Sequence, residues 1–81
     1  MATFNEFKAI VTFKDGTHFI LRFSKRMVAS FVYAFREMQR NIFKNDNVLW
    51  KYLDDEWLNL SFIESCKFID NRTHSEYLTV A

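Results

Sequence analysis

The stretch from Lys25 to Lys44, KRMVASFVYAFREMQRNIFK, constrains the fold of this chain more than any other. Apolar residues recur in it at intervals of three and four, so on an α-helix they fall within one arc of about 120°. Arg36, Glu37 and Arg40 fall on the opposite side, where they can stay in water. The pattern predicts one long amphipathic helix whose core-facing side is formed by Ala34, Met27, Met38, Phe31, Ile42, Phe35 and Val28.

Both ends of this predicted helix carry capping signals. Ser24 precedes the first turn, and its hydroxyl can accept a hydrogen bond from a backbone N–H that has no partner within the helix. Asn45 follows the last turn and can adopt the left-handed conformation that often ends a helix. At ~1.5 Å per residue the helix is a rod of roughly 30 Å, which is long enough to cross a small sheet.

Aromatic residues supply the core that so short a chain needs. A chain of 81 residues is near the lower limit for one hydrophobic core without disulfides or metals. Ten Phe, two Trp and three Tyr can each bury a large area, while one Gly and no Pro leave little material for long loops. We therefore expect residues 1–81 to form a single domain with short connections.

Residues 4–23 predict a β-hairpin, and the apolar pattern selects its turn. A two-residue turn at Asp15 and Gly16 would divide the apolar residues between both faces. A three-residue loop with Gly16 left-handed at a bulge pairs Phe13 with Thr17 and collects them on one face. We predict this bulged turn, with an inward face formed by Phe7, Ala9, Val11, Phe13, Phe19, Leu21 and Phe23.

Residues 48–53 and 57–60 predict a second hairpin. A three-residue turn that pairs Leu53 with Trp57 collects its apolar residues in the same way, although this turn has no glycine. The inward face would then be formed by Val48, Trp50, Tyr52, Leu58 and Leu60.

The last part of the chain predicts one or two further strands. Residues 61–63 break the alternation and predict a kink or a single helical turn, and residues 64–70 resume as a strand with Cys66 and Phe68 inward. Residues 77–80 form either a fifth strand at the sheet edge or an ordered tail. The predicted fold class is α+β in the order β-β-α-β-β, a mainly antiparallel sheet of four to five strands with the long helix packed on one face.

If both hairpins join this sheet, its face away from the helix carries several large apolar side chains. Contiguous exposed apolar patches beyond a few hundred Å² usually mark an interface, and a symmetric homodimer is the commonest way to cover one. We predict a protein-binding surface here, covered by a second copy or by another protein, unless the set is scattered or residues 77–80 fold over it. The set is Ile10, Ile20, Leu49, Leu53 and Trp57.

Charge is divided unevenly along the chain. Residues 1–44 contain eight Lys/Arg and three Asp/Glu, whereas residues 45–81 contain three and seven. Such a division can indicate a polyanion-binding half, but strands from both halves within one sheet would mix the charges, and we expect this mixing. The candidate contacts for an anion or a nucleic acid are Lys8, Arg22, Lys25 and Arg26. The last two lie at the predicted N-terminus of the helix, where positive charge opposes the helix dipole. With Arg22 they form either a small anion site that uses the free backbone N–H groups or a solvated basic turn.

No pattern in the sequence indicates a reaction, a metal or a cofactor. Cys66 faces inward from the middle of a predicted strand, where a thiol is usually unreactive, and its spacing from His18 and His74 matches no zinc pattern. The consecutive acids of residues 54–56 suit a solvated turn, and a single glycine leaves no phosphate-binding loop. We therefore expect a non-enzymatic protein without a cofactor.

Residue usage and targeting signals suggest where the chain acts. One cysteine excludes an internal disulfide, no run approaches the ~18 apolar residues of a membrane span, and no signal-peptide pattern opens the sequence. We expect a cytoplasmic location, without a membrane partner. Phe, Ile, Lys, Asn and Tyr, whose codons are AT-rich, are abundant, which favours a low-GC bacterium or one of its phages or plasmids.

These observations lead to two hypotheses of function. The first is a small protein-binding module, in a phage or mobile element an accessory protein that modulates or inhibits a host macromolecule. The alternative is a nucleic-acid-binding protein that uses the basic residues of the hairpin and the helix N-terminus.

Overall fold

One helix, six strands and a short 3₁₀ turn account for the described part of the chain. The computed structural model describes residues 6–40 and 47–81. In chain order the elements are β1 (Phe7–Phe13), β2 (His18–Phe23), α1 (Lys25–Arg40), β3 (Leu49–Leu53), β4 (Glu56–Asn59), the 3₁₀ turn (Leu60–Phe62), β5 (Ile63–Asp70) and β6 (Glu76–Val80). The α+β class was predicted, and of the alternatives left open the structure has a single helical turn after β4 and a final strand rather than an ordered tail.

The strands form two sheets rather than the single sheet expected. The larger sheet is antiparallel in the order β2-β1-β5-β6, and among the described strands β3 and β4 pair only with each other. Because β1 pairs with β5, strands from the two halves of the chain share the larger sheet. The predicted mixing of the two halves is confirmed at the level of the strands, whereas the placement of the second hairpin in the same sheet was wrong.

The first hairpin has the predicted bulged turn. Phe13 N–H donates to the Thr17 carbonyl at 2.8 Å and Gly16 N–H to the Phe13 carbonyl at 2.9 Å. Gly16 has φ +95°, a left-handed conformation that glycine adopts without strain. The register that follows places Ile10 opposite Ile20.

The second hairpin differs from its predicted register by two residues. Trp50 lies opposite Leu58 and Lys51 opposite Trp57, whereas the prediction paired Leu53 with Trp57. The irregularity lies within β3, between Lys51 and Leu53, rather than in a three-residue turn. A shift of two residues leaves every side chain on its predicted face, since the side-chain period of a strand is two.

The helix α1 begins where it was predicted to begin. Ser24 Oγ accepts from Met27 N–H at 3.3 Å, which confirms Ser24 as the cap. The described helix ends at Arg40, and the predicted continuation through Ile42 to Lys44, with Asn45 as its end, lies outside the described residues. Val28, Phe31 and Phe35 are buried, and Met27, Val32, Ala34 and Met38 pack against the core. In the described residues no helix has both the length and the apolar composition that crossing a bilayer requires.

A cluster of aromatic rings joins the helix, the larger sheet and the second hairpin. Phe23 of β2 lies at its centre, with ring-centroid distances between 5.3 and 5.7 Å to four other rings. These rings come from each of the packed elements and belong to Phe31, Trp50, Tyr52 and Phe68. The second hairpin therefore packs on the core through its inward face instead of extending the larger sheet.

Two polar contacts fix the second hairpin in place. Trp50 Nε1–H donates to Ser30 Oγ of the helix at 3.0 Å. The Tyr52 hydroxyl accepts from the Arg22 N–H and donates to the Arg22 carbonyl, both at 3.1 Å. These two backbone groups lie on the open edge of β2, so Tyr52 satisfies part of an edge that would otherwise be free to pair with another strand.

Candidate protein interface

The outward face of the second hairpin carries three large apolar side chains. Leu49 and Leu53 lie on β3 and Trp57 on β4, and their residues are 57%, 49% and 55% exposed. The opposite face packs on the core through Trp50 and Tyr52, so the three side chains point away from it. We call Leu49, Leu53 and Trp57 the hairpin patch.

Charged residues lie within the hairpin patch and at its turn end. Lys51 lies between the two leucines on β3, and its Nζ is 5.9 Å from the centre of the Trp57 ring, a cation–π distance. Asp54 and Asp55 of the turn and Glu56 at the start of β4 line an open cleft of about 630 Å³ together with Lys51 and Tyr52. Lys51 therefore lies within the patch, among its three apolar side chains, and the acids border it at the turn.

The structure divides the predicted apolar set between two sheets. Ile10 and Ile20 lie opposite each other on the larger sheet, where Ile20 is 62% exposed and Ile10 is half-buried. The other three members are the hairpin patch. The exposure of Ile20 and of the hairpin patch agrees with the prediction, but the single sheet face that was to carry all five residues does not form.

A second group of exposed aromatics was missed by the sequence reasoning. Phe19 and Phe62 are 58% and 57% exposed, and the Phe13 ring meets that of Phe19 edge-on at 5.5 Å. Phe13 and Phe62 also line a cleft of about 290 Å³ beside the first hairpin turn. The alternation of side chains along the strands placed Phe13 and Phe19 correctly on the inward face. Alternation does not show, however, how far the helix and the second hairpin extend over that face.

The four predicted basic residues lie in two places. Lys8 and Arg22 are directly opposite each other on the face of the larger sheet away from the core, and Lys67 lies on the same face of β5, opposite Ile10. Lys25 and Arg26 are exposed in the first turn of α1, which contains no acidic residue. The two ion pairs among residues 6–40 and 47–81 join Glu37 to Arg40 and Asp70 to Arg72, so neither includes any of the four predicted basic residues.

The three residues considered for catalysis or metal binding are separated. Cys66 is fully buried, and desolvation raises the pKa of its thiol to about 12. Cys66 pairs with Val11 on the inward face, whereas His18 pairs with Thr12, the next residue of β1. Because neighbouring residues of a strand face opposite sides, His18 lies on the other face of the larger sheet, where it is exposed. His74 is exposed in the loop between β5 and β6, with a left-handed φ of 61°. In the described part of the chain no cluster of His, Cys, Asp and Glu has the arrangement of a metal site.

Comparison with family models, with curated proteins and with solved structures gave no match for this chain. The hypothesis of function therefore depends on the geometry of the chain itself.

Proposed function

We propose that this chain is a non-enzymatic protein-binding module and that it docks its partner on the hairpin patch. The observation that carries the proposal is the exposure of two leucines and a tryptophan on one face of a hairpin whose other face is anchored in the core. Tryptophan is among the residues that contribute most to binding when an interface covers them.

Anchoring of the hairpin favours such a role. Its inward side is held by the Trp50–Ser30 and Tyr52–Arg22 hydrogen bonds and by ring contacts to Phe23. A surface already held in its binding conformation loses little conformational freedom when a partner docks, so more of the contact energy contributes to affinity.

The proposed setting follows from the sequence. A single buried thiol suits a reducing cytoplasm, and residue usage suits a phage or plasmid of a low-GC bacterium. In that setting the module would modulate or inhibit a host protein. Self-association of two hairpin patches into a homodimer is the form of the proposal that can be tested first.

Light scattering of the purified chain at tens of micromolar tests self-association. We compare the wild type with a Leu53→Ser/Trp57→Ser double variant and with Phe62→Ser, which removes an exposed aromatic from the 3₁₀ turn instead. A wild-type dimer that only the hairpin variant converts to a folded monomer supports the homodimer. A wild-type monomer rejects it and leaves a different protein as the partner.

Affinity capture from bacterial cytosol tests the second form. A specific partner retained by the wild type and by Phe62→Ser, but lost by the folded hairpin variant, supports docking on the hairpin patch. If capture is equal for all three proteins, or no partner and no dimer is found, the proposal is rejected.

A second candidate function is nucleic-acid binding, which the basic pair on the uncovered sheet face favours. Lys8 and Arg22 are opposite each other, with Lys67 one strand away, and like charges so placed are unfavourable unless an anion lies between them. Phosphate contacts would make the affinity for duplex DNA or RNA fall steeply with salt, and Arg22→Gln with Lys67→Gln would reduce that slope. The absence of binding at low salt would reject this candidate.

A further inference from the structure

A groove between α1 and the edge strand β6 has no role in the function proposed above. It encloses about 470 Å³, and its walls include Val32 and Tyr33 of the helix and Tyr77 and Leu78 of the strand. Tyr33 is 69% exposed and Tyr77 50%, while the Tyr77 ring is held at 4.6 Å from that of Phe7. The walls of the groove are thus largely apolar, and both tyrosines are exposed to solvent.

The strand beside this groove has an unpaired edge among the described residues. β6 is the last strand of the larger sheet and pairs only with β5. Asp70 N–H donates to the Ser75 carbonyl, toward the β6 side, whereas Asn71 N–H donates to the Glu6 carbonyl, toward the β1 side. The register of β5 and β6 is irregular between Phe68 and Ile69, where β6 has one extra residue, but β5 pairs regularly with β1 from Ser65 to Asp70. Backbone groups therefore alternate along this part of β5, and those of Phe68 and Cys66, like those of Asp70, face β6.

The same alternation fixes the direction of the Thr79 backbone. Leu78 and Val80 are the partners of Phe68 and Cys66, so their N–H and C=O groups face β5. Thr79 lies between them, and its N–H and C=O therefore point outward, along the open edge. An added strand would find a donor and an acceptor there, beside an apolar groove for alternate side chains.

The charge of the groove identifies the kind of strand that fits. Lys25 lies at one end, and Arg36 and Arg40 lie at the other. The one acid of the groove, Glu37, already pairs with Arg40 at 2.7 Å, and neither described ion pair includes Lys25 or Arg36. A second copy of β6 would bring an equally basic groove to the same edge, so self-pairing is disfavoured and an acidic segment is favoured.

Distances along the helix set the spacing of the acids. Lys25 and Arg36 are eleven positions apart, about 16 Å of helix at ~1.5 Å per residue. In an extended strand, residues one and five are about 13 Å apart and point to the same side, as residue three does between them. The long side chains of lysine, arginine and glutamate can bridge the difference of about 3 Å between the two spacings.

We propose that the α1–β6 groove binds an acidic extended peptide segment of a protein, which adds to β6 as a further strand. The segment carries Asp or Glu at its first and fifth positions, facing Lys25 and Arg36, and an apolar residue at its third position in the groove. This site is separate from the hairpin patch and does not depend on it.

Fluorescence anisotropy with two labelled peptides tests the proposal. The first is Glu-Thr-Val-Thr-Glu and the second Lys-Thr-Val-Thr-Lys, which has the same strand propensity and opposite charge. We expect saturable binding of the acidic peptide that is at least about tenfold tighter than binding of the basic one, and weaker in Arg36→Glu. Equal affinities, or no binding of the acidic peptide at millimolar concentration, would overturn the proposal.

Two variants of Thr79 separate strand addition from simple charge attraction. Thr79→Pro removes the outward N–H and spares the bonds to β5, while Thr79→Val removes the same hydroxyl and keeps the N–H. We expect about tenfold weaker binding in Thr79→Pro, unchanged binding in Thr79→Val, and thermal unfolding that shows both variants folded. Equal binding by both folded variants would overturn strand addition. A wild-type dimer that Thr79→Pro dissociates would assign the edge to a second copy instead.

Discussion

The burial of two phenylalanines on one strand provides a direct test of how the core is built. Phe19 and Phe23 both lie on β2 and on its inward face, yet Phe23 is fully buried and Phe19 is 58% exposed. Within residues 6–40 and 47–81, Phe23 contacts four aromatic rings, whereas Phe19 contacts one, that of Phe13. The same substitution to leucine at the two positions should therefore have very different effects.

The expected effects follow from these ring contacts. An aromatic pair contributes ~0.5–1.5 kcal/mol beyond its buried area, so four pairs set an upper limit of roughly 2–6 kcal/mol for Phe23→Leu. Leucine retains most of the buried area, and neighbouring contacts are not additive, so we expect a loss of about 2 kcal/mol. This loss is a large part of the total free energy of unfolding, ~4–12 kcal/mol, that is expected for a domain of this length. Phe19→Leu should lower the free energy of unfolding by about 0.5 kcal/mol.

Urea denaturation followed by tryptophan fluorescence measures both effects. Trp50 lies 5.3 Å from Phe23, so its emission reports on the core. With a slope of about 1–2 kcal/mol per molar urea, Phe23→Leu should lower the midpoint by roughly 1–2 M and Phe19→Leu by less than about 0.5 M. Equal midpoints for the two variants, at unchanged slope, would refute the packing described around Phe23.

Two further predictions concern single polar groups. Tyr52→Phe removes the hydroxyl that bonds both Arg22 backbone groups, so we expect about 1 kcal/mol less stability and faster hydrogen exchange at the Arg22 amide; an unchanged exchange rate would contradict the contact. Burial raises the pKa of Cys66 to about 12, so above pH ~9 the unfolded chain loses a thiol proton that the folded chain keeps, and stability should fall as the pH rises from there toward 12. Urea midpoints should show this fall more strongly in the wild type than in Cys66→Ala, and equal falls would contradict it.

The first hairpin could be predicted in full because two independent signals agreed. Gly16 supplied the left-handed turn position, and the apolar set was divided between the faces in the alternative register. In the second hairpin the glycine was absent, and the predicted and observed registers differ by two residues. Such a slip keeps every side chain on its face, so the apolar pattern cannot distinguish the two.

The sequence could not predict which sheet β3 and β4 belong to, for a related reason. Alternation in β3 and β4 shows that one face is buried, but it is the same whether the hairpin extends a sheet or packs over it. The contacts that decide the matter join Trp50 to Ser30 and Tyr52 to the Arg22 backbone. They link residues 20 and 30 positions apart, and nothing local in the sequence marks them. The exposure of Phe19 was not predicted for the same reason, because the pattern of a strand does not show how far the elements packed on its inward face extend.

The hairpin patch contains three of the five apolar residues that were predicted to share one face, and its smaller area constrains the interface that it can form. Large side chains bury ~150–250 Å² each, so three that are about half exposed offer roughly 300 Å². A standard interface covers about 800 Å² on each partner, so a partner that binds here must also cover the surrounding polar residues. Those nearest are Lys51 and the acids of residues 54–56. A partner other than a second copy should therefore have an apolar centre and a mainly basic rim, and its charges would raise the association rate more than they lower the dissociation rate, whereas a second copy would bring acids toward acids.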